Sequence, residues 1–192
     1  DTKRDFFLSS SSPRLLRTAR ELYRLANESA KPNVDRTAGY QDRDLKRFQA
    51  GVAAIDRTYS EKVDKALVLN SLVKYAAQPK AQRSANFDAA MGIVDGMTEA
   101  QLKAKLDAMY AGSQLADTAT RTAWLGKTPA DFKASNDSFI KAAVAMYEQG
   151  LKSEAEEEEL GGKVQQAYAN YMKAKIAYMT SKGQAVYPDA NS

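Results

Sequence analysis

The chain has 192 residues, 44% of them hydrophobic, with 28 Lys and Arg against 24 Asp and Glu, and it contains neither His nor Cys. Such a chain can bury a sizeable core, as one domain or as two helical subdomains. Without cysteine there is no disulfide, thiolate nucleophile or cysteine-held zinc, and without histidine the commonest general base and transition-metal ligand are missing. No apolar run approaches the roughly 20 residues of a membrane span, and Asp1-Thr2-Lys3-Arg4 does not read as the start of a signal peptide.

An irregular lead-in over residues 1–12 is expected before the first helix. Ser12-Pro13 is a start signal, because a hydroxyl can cap free amides and proline at the first helical position loses no needed donor. Leu15, Leu16, Ala19, Leu22, Tyr23 and Ala26 give that helix one apolar face, and Lys31-Pro32 stops it. After a loop around Gly39-Tyr40, a second helix is predicted from Asp42 to Tyr59, with Leu45, Phe48, Val52 and Ile55 at spacings of three and four. Ser60 is placed to cap a third, in which Val63, Leu67, Val68, Leu72, Val73 and Tyr75 predict a wide buried face before Gln78-Pro79. Asn86 to Val94 predicts a shorter helix ending near Gly96.

Thr98 with Gln101 forms a capping box, in which each side chain satisfies the other's free backbone amide. Leu102, Leu106, Met109 and Tyr110 line the helix that follows, and Gly112 is placed to close it. A short helix around Asp117 to Leu125 presents Trp124 as an anchor of a loop-rich middle, and Thr128-Pro129 opens another turn carrying Phe132. From Ser138 to Lys182 the pattern stays helical, roughly 65 Å if unbroken. Ile140, Val144, Tyr147 and Leu151 form one seam of it; Val164, Tyr168, Met172, Ile176 and Met179 form another. Between them Lys152 to Glu159 is polar nearly all round, so two packing centres joined by a solvated bridge are expected. Gly161-Gly162 costs about 1 kcal/mol per glycine relative to alanine and predicts a kink or break. The fold class is therefore all-α, with the helical domain over residues 13–182 and an extended segment over 183–192.

Four features invite chemistry. Glu154 and Glu156 to Glu159 suggest a hard cation, but only pairs three or four apart share a helix face, so a solvated face is the simpler reading. Ser71 and Lys74 have the Ser-x-x-Lys spacing of penicillin-binding enzymes, without the Ser-Asp-Asn and Lys-Thr-Gly that accompany it there, and read as an incidental helical pair. Arg14, Arg17, Arg20 and Arg24 share one side of the first helix; they read as a solvated face or as a phosphate-binding patch, which Glu21 and Glu28 dilute. Tyr168, Tyr171 and Tyr178 read as core aromatics or as a stacking surface. The sequence assigns no catalytic, cofactor-binding or metal-binding residue.

Lys31-Pro32, GYQDRDL at Gly39 to Leu45, LADTATRTAW at Leu115 to Trp124 and, most specifically, VYPDANS at Val186 to Ser192 carry a resemblance over most of the chain. They resemble the helical domain of the bacterial serine dipeptidyl-aminopeptidases, the dipeptidyl-peptidase 7 and 11 family. The resemblance implies an exported enzyme of a Gram-negative bacterium, with a Ser-His-Asp triad in a double β-barrel whose cleft is covered by an inserted helical domain. It also implies that the catalytic His, Asp and Ser lie in barrel segments before and after this region. Residues 183–192 would then be the return toward that barrel, and the chain is expected to be a severed, non-catalytic cover. Implied partners are the chymotrypsin-like catalytic domain of the same protein, peptide substrates and a homodimer of the parent. In that setting the arginines of the first helix would form a positive wall guiding acidic peptides toward a cleft. The other reading is a freestanding helical scaffold that binds a partner helix or protein.

Overall fold

The computed structural model describes residues 13–184, in which helices joined by turns and loops are the regular structure and no strand occurs. Eight α-helices follow in chain order: α1 (Arg14–Ser29), α2 (Leu45–Ala53), α3 (Glu61–Ala76), α4 (Ala85–Met91), α5 (Glu99–Ala111), α6 (Thr118–Ala123), α7 (Pro129–Lys133) and α8 (Ser138–Ser181). Short 3-10 turns occupy Asn33–Asp35, Ala54–Arg57, Lys80–Gln82 and Trp124–Gly126. The chain divides into two compact units at Gly150 and Leu151. The lead-in over 1–12 and most of the extended segment, with VYPDANS, lie outside the described residues.

In the unit ending at Gly150, the apolar face read on α1 is the centre of the core. Leu15, Leu16, Ala19, Leu22, Tyr23 and Ala26 are all buried. Around it α7 and the Trp124–Gly126 turn pack on α1, α3 packs on α5, and α2 packs on α6. Phe132, Phe139 and Ile140 are fully enclosed. Trp124 stacks tilted on Phe132 at 4.6 Å, in the anchoring role its position suggests. The boxes at Thr98-Gln101 and Thr128-Asp131 both form, each hydroxyl accepting from the third residue's amide.

Several expectations are corrected here. Helix α2 begins at Leu45 and gives way to a 3-10 turn at Ala54, so it is shorter than the predicted Asp42 to Tyr59. The Asp42 amide donates to Asn33 Oδ1 at 2.8 Å, which ties that residue to the preceding loop instead of the helix. Ser60 precedes α3 without a side-chain cap. Val68, Leu72 and Tyr75 are buried on α3, but Val63 and Leu67 are 56% and 62% exposed. At 100° per residue Leu67 and Val63 lie about 100° and 140° round the helix from Val68, and the packing against α5 does not reach that far round. Helix α4 stops at Met91 because Gly92 takes a left-handed φ of 61°, before the expected end near Gly96, and Val94 is exposed.

The unit from Leu151 onward consists of the remainder of α8. Every residue to Ser181 is α-helical, so no break occurs at Gly161-Gly162. A glycine pair costs about 2 kcal/mol of propensity, and strong helix formers on both sides offset it. Lys163 also pairs with Glu159 at 2.5 Å across the glycines. The predicted second packing centre is absent among the described residues. Leu160, Val164, Tyr168, Tyr171 and Tyr178 are each about 60% exposed, so the tyrosines read as core aromatics are at the surface.

Candidate functional site

Three of the segments that carry the resemblance, those within the described residues, are stitched into the fold by charge-assisted knots. Glu28, buried near the end of α1, accepts from Lys31 Nζ at 2.8 Å and from the Thr37 amide at 2.9 Å, fixing the loop after Lys31-Pro32. Burial pushes its carboxyl up, but the hydrogen bonds from Lys31 and Thr37 outweigh that and leave it below the ordinary value. Asp44, at the end of GYQDRDL, accepts from the Gly39 amide at 3.1 Å, closing a turn in which Gly39 has φ 91°.

Arg121 of LADTATRTAW is fully buried. Its guanidinium donates to the carbonyls of Val52 at 2.9 Å, Leu115 at 2.8 Å and Ala116 at 2.9 Å, and to Asp56 Oδ1 at 2.7 Å. Hydrogen bonds from Thr118 and from Arg121 hold the Asp56 carboxyl below its ordinary value. Only a planar five-donor fork can satisfy so many acceptors at once. Sequence reasoning passed over Arg121, because a lone arginine in a polar stretch gives no sign of burial.

Charged side chains also meet open space at the start of α1. Arg14 and Arg17 line two adjoining grooves. One, of about 620 Å³, lies toward Glu21, Tyr40, Arg47 and Phe48; the other, of about 530 Å³, lies toward Val63, Leu67, Ser71 and Lys74. Asp64 of α3 reaches this helix end and accepts from the Arg14 amide at 3.1 Å and from Tyr110 Oη at 2.6 Å. It supplies the cap that no α1 side chain within the described residues provides. Burial, then Asp64, pushes the Tyr110 hydroxyl well above its ordinary range, so it remains a donor. Tyr59 also lines the second groove; burial raises its hydroxyl too, and that oxygen has no hydrogen-bond partner among the described residues. Ser71 and Lys74 share this groove.

Of the four arginines read as one patch, Arg24 turns away into the Glu28 knot, 4.0 Å from its carboxylate and 5.6 Å from the Tyr40 ring centroid. The structure therefore divides the patch, leaving Arg14 and Arg17 at the grooves. Among the described residues no group of three or more acidic side chains could hold a metal ion, and Glu156 to Glu159 are exposed.

The Peptidase S46 family model matches residues 2–192. The chain is 40% identical over 186 residues to an Asp/Glu-specific dipeptidyl-peptidase of Shewanella putrefaciens, an alignment covering 97% of this chain and 25% of that enzyme. The chain thus spans about a quarter of the length of the curated relative it matches. With a family match running almost end to end, this chain belongs to the Peptidase S46 family.

Proposed function

We propose that these helices form the cover of an exported serine dipeptidyl aminopeptidase whose catalytic groups lie outside the 192 residues. The observation that carries this reading is a peptidase-family chain without a single histidine. A Ser-His-Asp triad needs its imidazole to take the serine proton, so the base would come from another part of the polypeptide. There, acylation of a serine by the substrate carbonyl would be followed by water releasing the dipeptide. The helical cover would narrow the cleft, admit an amino terminus and exclude internal peptide segments. The relative's name brings a preference for Asp- or Glu-containing peptides into the proposal.

Two measurements test it. A full-length protein containing this chain should release dipeptides from a dipeptidyl fluorogenic substrate, while the purified 192-residue chain should release none; activity of the short chain would defeat the reading. Fractionation of the Gram-negative source should place the protein in the periplasm. The exposed apolar run on α8 also suits a freestanding scaffold. A native gene product without a β-rich region and serine nucleophile would favour that second reading.

A further inference from the structure

Arginines that hold this fold together are saturated. Arg121 serves three carbonyls and a carboxylate, Arg83 bonds Asp88, Asp95 and the Ala76 carbonyl, and Arg36 pairs with Asp42 at 2.7 Å. Arg14 and Arg17 are different. Three residues apart on α1, they share a face, are half-buried, and have no salt bridge or side-chain hydrogen bond among the described residues. The carboxylates nearest them are largely spent: Asp64 caps α1 and accepts from Tyr110, and Asp44 accepts from Gly39. Glu21, also in the groove, has no hydrogen-bond partner among the described residues. Desolvation raises its carboxyl above the ordinary value although the residue is exposed, while Arg17, Arg14 and Arg20 pull it back.

The walls beyond the two guanidiniums are mixed, with Arg47 and Lys74 adding charge beside apolar side chains. Val63 and Leu67 are exposed in one groove, and Tyr40 and Phe48 pack at 5.7 Å in the other. Charge at the junction and apolar surface on either side fit an extended peptide that presents a carboxylate, which a guanidinium can grip in bidentate fashion. A bare phosphate would leave the apolar side chains uncovered. We propose that Arg14 and Arg17 form a binding site for acidic side chains of peptide substrates, with Glu21 as the internal competitor that the substrate carboxylate displaces. The site rests on the peptidase reading for the identity of its ligand and is separate from the chemistry of bond cleavage.

The test is binding of a fluorescent Asp/Glu-rich peptide, and of its Asn/Gln counterpart, to the full-length protein, followed by anisotropy alongside dipeptide release. In the wild type the acidic peptide should bind more tightly than the neutral one. Arg14→Gln with Arg17→Gln should weaken the acidic peptide about tenfold and leave the neutral one unchanged, and Glu21→Gln should tighten the acidic peptide severalfold. The two directions keep the result independent of any loss of folding, because Glu21→Gln is expected to gain affinity. Equal binding of the two peptides by the wild type, or variants that alter neither or both equally, would overturn the site. A protein that shows this charge preference but releases no dipeptide would instead sink the peptidase reading.

Discussion

Helix α8 contains two apolar seams of similar spacing and opposite fate. Phe139, Ile140, Ala143 and Met146 are essentially inaccessible in the unit that ends at Gly150. In the unit that begins at Leu151, Leu160, Val164, Tyr168 and Tyr171 keep more than half of their surface in solvent. Periodicity states which side of a helix is suited to burial; it does not state that the chain itself holds the partner. A contiguous apolar run of this kind is the mark of an interaction surface. The chain spans about a quarter of its relative's length, and the Tyr171 comparison below tests whether anything packs on this seam.

The contrast breaks most severely at Arg121. Arg121→Ala would strand two buried carbonyls and a part-buried one and free Asp56, at roughly 1–3 kcal/mol for each buried unmet group, about 5 kcal/mol in all. That is comparable to the whole stability of a typical domain. Urea unfolding followed by circular dichroism should show the midpoint collapse. Arg121→Lys should recover only a small part of it, since a single ammonium cannot reproduce the fork.

Next in size is a matched pair. Phe139→Ala should cost about 4 kcal/mol through lost burial and a residual cavity. Tyr171→Ala should change the 192-residue chain by less than about 0.5 kcal/mol, as a surface substitution does. In the full-length protein the same Tyr171→Ala should cost about 1–3 kcal/mol if the seam is covered there. Equal, negligible effects in both contexts would show that nothing packs on it.

How far the sequence led follows the same line. The α1 face, the Thr98-Gln101 box and the core positions of α5 were legible because local pattern and tertiary packing agree there. Val63 and Leu67 were misread, since α3 is apolar over a wider arc than its neighbours cover. Gly161-Gly162 does not break α8, because a propensity penalty of a couple of kcal/mol is offset by the helix formers around it. Arg121 and Asp64 were invisible, because their partners are 65 and 50 residues away and no local period reports such pairing.

Glu28 sharpens the comparison through pH. Its folded carboxyl lies below the ordinary value of 4.5, so it contributes stability that is fully present above 4.5 and is lost as pH falls through the lower folded value. Glu28→Gln should cost about 2 kcal/mol at neutral pH by weakening the bonds from Lys31 and Thr37. It should also flatten the acid side of the stability curve. Thermal unfolding between pH 3 and 7 reads both, and an unchanged acid slope would remove Glu28 from the account of how the loop after α1 is held.

The smallest effect has the opposite sign. A Cβ built at Gly161 or Gly162 meets nothing within 4 Å, and neither residue has a positive φ. Alanine at both positions should therefore add helix propensity without a clash, up to about 1 kcal/mol each. Hydrogen exchange of amides 160–176 in the 192-residue chain should slow, with the amides of α1 and α5 unaffected. In the full-length protein the outcome separates two reasons for the glycines. If helicity rises and dipeptide release is unchanged, they are tolerated weak points in a solvated helix. If helicity rises and dipeptide release falls, bending at this pair is used by the enzyme, and continuous α8 is one of the shapes it adopts.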